Sequence, residues 1–130
     1  MTIQEIATVL DAKWLSCPEE GQREISTAFA SDMMSDVLAC VTEDTLLLTG
    51  LVNSQSVRTC EMLDVPCVVF VRDKEPLADA VALAREIGLP ALKTPYTMFE
   101  ACARLYMAGL RPVELGCSKS NNRSIQIAND

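Results

Sequence analysis

The sequence predicts an α/β domain, a three-layer α/β/α sandwich around a mostly parallel sheet. Three observations predict it. After residue 24, short apolar runs alternate with segments of helical period, and the strand–helix unit recurs four times. Successive strands joined through helices pair in parallel by right-handed crossovers. One run, Cys67-Val-Val-Phe-Val71, is apolar throughout and rich in β-branched residues, as a central strand covered on both faces must be.

The elements follow in order. Thr2-Ile-Gln-Glu5 has the form of a capping box, and Ile3, Ile6, Ala7 and Leu10 recur at helical spacing, so a helix is predicted to about Ala12. Trp14, Leu15 and Cys17 form a short strand before the turn Pro18-Glu-Glu-Gly21. Residues 24–30 read as a strand, and Ser31 and Asp32 as N-caps of a helix with Met33, Val37, Leu38 and Val41 on one face. Thr45-Leu-Leu-Leu-Thr49 is a buried strand ending at Gly50. Asn53 or Ser54 caps a helix to about Leu63, with Val57, Cys60 and Leu63 at helical spacing. After the Cys67 strand, Arg72-Asp-Lys-Glu75 is a polar loop. Pro76 opens a helix that Gly88 closes. Residues 89–94 hold a short strand, Pro95 and Tyr96 a turn, and a last helix runs to about Ala108. Met33, Met34, Met98 and Met107 sit on helices, where spacing favours core. The domain is expected over 1–112. A polar tail over 113–130 follows, with Ile125-Gln-Ile127 as a candidate terminal strand.

Composition narrows the function. A chain of 130 residues that is 49% hydrophobic fits one domain with a core of its own. The formal net charge of −7 argues against nucleic acid or an anionic membrane as partner. No apolar run approaches the ~18 residues of a membrane span, and no signal peptide is recognisable, so a cytoplasmic protein is expected. Six cysteines stand at wide, irregular spacings, mostly inside apolar runs, and are expected to be reduced and buried. There is no C-x-x-C pair and no histidine, so no metal site and no cofactor is expected. Catalysis lacks its commonest general base, and only Cys17 and Cys117 look exposed enough to act as nucleophiles.

Parallel sheets bind ligands beyond the carboxyl ends of their strands, where helix N-termini also point. Those ends carry Ser31 and Asp32; Thr49, Gly50 and Asn53; Arg72 and Lys74; and Thr94 and Tyr96. Each has a bland reading beside the functional one. Asp32 and Asp36, four apart, are either metal ligands or an acid–base pair, or else a cap and a favourable first-turn charge. Gly50 either cradles an anion or makes a turn, and neither a P-loop nor a dinucleotide fingerprint is present. Arg72 either forks onto a phosphate or carboxylate, or pairs locally with Asp73 or Glu75.

Several segments resemble, in order, the DRTGG domain family in its short stand-alone form. They are Ala30-Ser-Asp-Met-Met-Ser-Asp-Val-Leu38, Leu47-Leu-Thr-Gly-Leu51, Val57-Arg-Thr59 with Glu61-Met62, Val69-Phe-Val-Arg72 with Lys74 and Pro76, and Thr94-Pro-Tyr-Thr-Met-Phe-Glu-Ala101. The likeness covers roughly residues 1–112; the literal D-R-T-G-G string is absent. The resemblance implies a fold like the N-terminal domain of HPr kinase/phosphorylase, frequent homodimers, and a regulatory role beside CBS pairs in pyrophosphatases or before phosphotransacetylase domains. Stand-alone members often occur beside iron hydrogenase genes. The family carries no established catalytic residues, and the kinase's P-loop domain is missing here.

The expected function is therefore a non-catalytic, homodimeric regulatory module that binds a small anion such as a nucleotide. The alternatives are an assembly protein for an iron hydrogenase or related redox enzyme complex, and a small-molecule enzyme using Asp32 with Arg72 or Lys74.

Overall fold

A computed structural model describes residues 1–115. Cys117, the candidate strand at 125–127 and most of the polar tail lie outside the described residues. The elements are α1 (Ile3–Val9), β1 (Lys13–Ser16), β2 (Thr27–Ala30), α2 (Met34–Cys40), β3 (Thr45–Thr49), α3 (Ser54–Met62), β4 (Val68–Phe70), α4 (Ala78–Ile87), β5 (Ala91–Lys93), α5 (Met98–Met107) and β6 (Arg111–Pro112).

Local chemistry sets several ends. Thr2 Oγ1 accepts from Glu5 N at 3.1 Å while Glu5 Oε1 accepts from Thr2 N at 2.8 Å, a complete capping box. Those bonds to the ionised form hold the Glu5 carboxyl below its ordinary value. Asn53 caps α3 and Thr97 caps α5 through their side chains. Gly88 ends α4 at φ +74, a conformation that favours glycine.

The sheet order is β1-β5-β4-β3-β2-β6, with β2 to β6 parallel and β1 antiparallel to β5. Strands β2 to β5 step across the sheet in one direction, and α2, α3 and α4 pack into one core cluster on one face. After β5 the chain reverses direction. Helix α5 joins α1 on the other face and delivers β6 to the far edge, beside β2. Right-handed crossovers demand this switch of faces. Three layers result, as the sequence predicts. Strands β3 and β4 are buried along their whole length, with Leu46, Leu47, Leu48 and Phe70 at the centre. Each such side chain contributes roughly 1.5–3 kcal/mol by leaving water.

The structure corrects four sequence expectations. Helix α2 starts at Met34, with Met33 as a cap that makes no side-chain bond, so Asp32 is not its N-cap. Met33 and Leu38 are exposed and Met34 and Val37, three apart on one face, are buried against the sheet. Met107 is not core but lies open on α5. The strand expected over residues 24–30 begins only at Thr27; Glu24 instead makes an isolated bridge to Thr2. Strand β6 had no sequence signal, since two residues including a proline show no period. Among the described residues, no helix is long and apolar enough to cross a membrane.

Candidate functional site

The connections leaving β4 and β5 pass to opposite faces of the sheet. Such a switch point opens a crevice at the strands' carboxyl ends. The loops after β2 and β3 border it.

Asp32 leaves the end of β2 and turns away from its own helix. Its Oδ1 accepts hydrogen bonds from Gly50 N and, at 3.2 Å, from Thr49 Oγ1. Thr49 Oγ1 in turn accepts from Leu51 N at 3.1 Å. The carboxylate thus fastens the loop after β3 to the end of β2. Its Oδ1 is committed to this loop, while Oδ2 faces Arg72.

Two cations come from the loop after β4. Lys74 Nζ donates to Gly50 O at 2.9 Å. Arg72 lies across Gly50: a Cβ added there would sit 2.6 Å from Arg72 Nη2, so only glycine leaves the guanidinium its place. Arg72 Nη2 stands 4.0 Å from Asp32 Oδ2, and both side chains are about half exposed, at 49% and 53%. Among the described residues the guanidinium makes no hydrogen bond beyond that loose pairing. Its fork of donors therefore points at solvent.

The backbone here is strained. Arg72 and Asp73 have φ of +67° and +54°, a region non-glycine residues rarely adopt. Two bonds hold them: Arg72 N donates to Tyr96 O at 2.7 Å and Asp73 N to Thr94 O at 2.9 Å. Lys93 adds ion pairs to Asp73 at 3.5 Å and Glu75 at 2.7 Å, which raise its own proton affinity. Sequence reasoning missed Lys93, because it reads as an ordinary strand-end lysine. The loops after β4 and β5 are thereby stitched together.

The other candidates divide. Thr94 is fully buried and its hydroxyl donates to Leu10 O at 2.7 Å, so it supports the loop from below. Tyr96 is half-buried, with the Arg104 guanidinium 4.2 Å from its ring centroid. Asn53 Oδ1 accepts from Gln55 N and Ser56 N, which occupies the N-terminus of α3. Ser31 Oγ accepts from Met33 N at 3.0 Å. The structure brings Asp32, Thr49, Gly50, Arg72 and Lys74 together, places Tyr96 at the margin, and leaves Ser31, Asn53 and Thr94 occupied elsewhere.

The thiols are a separate group. Among the described residues all five cysteines are free; Cys60 and Cys67 are buried, while Cys17, Cys40 and Cys102 are partly exposed. Burial pushes the Cys60 thiol up to about 12 and that of Cys67 further up. Burial also raises Cys102, and burial with the nearby Glu19 raises Cys17. Raised values mean less thiolate at neutral pH, the opposite of an activated nucleophile. Alkylation of the native protein near pH 8, followed by mass spectrometry, is expected to leave Cys60 and Cys67 unmodified until denaturant is added. The raised values also set the sign of alkaline stability. Buried thiols hold their protons while unfolded ones ionise, so stability is full below the ordinary thiol value and falls as pH rises from there toward 12.

Away from the crevice, a groove of about 540 Å³ runs between α5 and the β2–β6 edge. Its walls include Ala28, Ala30, Phe99, Ala103 and Tyr106 and are almost wholly apolar.

No family model matches the chain, and neither does any curated protein sequence. Among solved structures it is similar to the CBS and DRTGG domains of the regulatory region of Clostridium perfringens pyrophosphatase, in complex with the activator diadenosine tetraphosphate. The TM-score is 0.68 at 15% identity, over 80% of this chain and 45% of that one. The likeness is one of fold, a DRTGG-like α/β arrangement, and this chain spans less than half the length of its neighbour.

Proposed function

We propose that the chain is a non-catalytic regulatory module that self-associates and binds a small anionic ligand, of nucleotide or polyphosphate type, at the strand-end face where the loops after β2, β3 and β4 meet. The observation that carries this reading is Arg72. Its guanidinium is half exposed beside the ends of β3 and β2, laid over a glycine, and held only by a loose contact with Asp32. A planar fork of donors in that state suits a phosphate, which accepts two parallel bonds. The strained backbone at Arg72 and Asp73 adds support, since such strain gathers at ligand clamps. So does the neighbour, a regulatory region complexed with a nucleotide activator. The raised thiols favour binding over cysteine-based catalysis.

Thermal unfolding with inorganic phosphate, pyrophosphate, ATP and diadenosine tetraphosphate tests the reading. At 100 times its dissociation constant, a ligand specific for the folded state stabilises by about 2.7 kcal/mol. Arg72→Ala is expected to weaken the effective anion at least about tenfold, because it removes charge-assisted bonds. Equal responses from wild type and variant, or none from either, would sink the proposal.

The apolar groove favours a second reading, an assembly protein that docks a redox enzyme complex such as an iron hydrogenase. That reading expects a stable complex on mixing with the purified enzyme, and anion titrations without effect.

A further inference from the structure

Helix α5 is apolar on two sides. At 100° per residue its inner face carries Met98, Ala101, Cys102 and Leu105, and Ala101 and Leu105 are buried in the core. The adjoining sector carries Phe99, Ala103, Tyr106 and Met107. Only Glu100 and Arg104 make a polar side, paired with each other at 2.9 Å. Apolar residues therefore cover roughly two-thirds of the circumference, whereas a surface helix needs a stripe about half as wide. A helix this apolar is normally covered on both sides. Yet Phe99 and Met107 are each 86% exposed and Tyr106 57%.

The uncovered area is large. Those three side chains alone leave roughly 400 Å² in water, and the groove beside them extends it. That equals the largest patch on a typical monomer, about 300–600 Å² and often functional, and the groove would supply the rest of the roughly 800 Å² that each partner in a stable interface contributes.

We propose that this face of α5, with the groove beside it, is where two copies of the chain associate about a two-fold axis. The inference deepens the self-association half of the proposed function and is independent of the anion site. Two features select a second copy. First, the stripe fits itself. Ala103 lies midway, between Phe99 at one end and Tyr106 and Met107 at the other. With two α5 helices antiparallel, the small centres allow close approach, and Phe99 of each protomer meets the groove of its partner. The rim carries both signs, Glu100 and Glu114 with Arg104 and Arg111, so two like faces complement each other despite the net charge of −7. Second, the open sheet edge disfavours an extended peptide. Strand β6 has two residues, and Pro112 offers no N–H, so strand addition finds no row of donors. The helix face is what remains.

Sedimentation of the full chain from about 1 to about 100 µM tests the proposal, since mass action sets the dimer fraction. Wild type is expected to be a dimer. Phe99→Glu, and independently Ala103→Arg, are expected to weaken dimerisation at least about tenfold with unchanged circular dichroism. Met62→Glu, an equally open apolar site on the other face of the sheet, is expected to leave it unchanged. A monomeric wild type overturns both the surface and the self-association. A dimer indifferent to Phe99→Glu and Ala103→Arg overturns the surface alone. A monomer that dimerises once residues 116–130 are removed overturns it in favour of those residues as the cover. Anion titration of the Phe99→Glu monomer reads the crevice separately, so failure of one half is distinguishable from failure of the other.

Discussion

Asp32→Ala and Asp32→Asn are expected to separate the two roles of the carboxylate, hydrogen-bond acceptor and charge. Alanine removes the acceptor of two hydrogen bonds and strands the N–H of Gly50, a buried residue. An unsatisfied buried donor costs about 1–3 kcal/mol, and urea unfolding is expected to show a loss of that size. Asparagine keeps an acceptor oxygen in place, and its stability is expected to stay within about 1 kcal/mol of wild type. It also removes the negative charge 4.0 Å from Arg72. Opposite unit charges at that distance attract by about 1 kcal/mol in water-like surroundings, a penalty every incoming anion must overcome. Anion affinity in Asp32→Asn is therefore expected to rise about fivefold. Calorimetry that finds it unchanged or lowered would show that Asp32 does not compete for Arg72.

Thr94→Val is expected to be the other costly change, although it keeps the side chain's shape. The hydroxyl donates to Leu10 O, a carbonyl at the end of α1, and accepts from Tyr96 N at 3.3 Å. Valine leaves the buried Leu10 carbonyl without that partner, and the part-buried Tyr96 N–H as well. The expected loss is about 1–3 kcal/mol by urea unfolding. The anion response is also expected to weaken, because Thr94 O and Tyr96 O hold the strained backbone of Asp73 and Arg72. A loss below about 0.5 kcal/mol would mean that water replaces the hydroxyl and that the loop does not depend on it.

Local rules made much of the fold legible. The capping box at Thr2, the Asn53 cap, the αL glycine at residue 88 and the all-apolar Cys67 run each carry their own signal within a few residues. The failures share a cause. Asp32 has the residue type and place of an N-cap, yet its carboxylate binds a loop some eighteen positions on, a choice that only sheet pairing offers. Thr94 sits at a strand end as a ligand residue should, but its side chain faces inward. Met107 has helical spacing with the core residues and still lies on the open side of α5, because spacing gives a face and not which faces are covered.

The carboxyl-end face of the sheet followed from the alternation of strands and helices alone. Which residues meet on that face did not. By itself the sequence determined that four strand–helix units stack into a parallel sheet, because hydrophobic period, caps and turn residues act over short distances and leave few topologies open. Only the tertiary structure decided that Arg72 lies over Gly50 opposite Asp32, and that α5 is left half uncovered. Those outcomes depend on strand order and on the reversal after β5. Both are settled by contacts between residues far apart in the chain, and no local pattern records them.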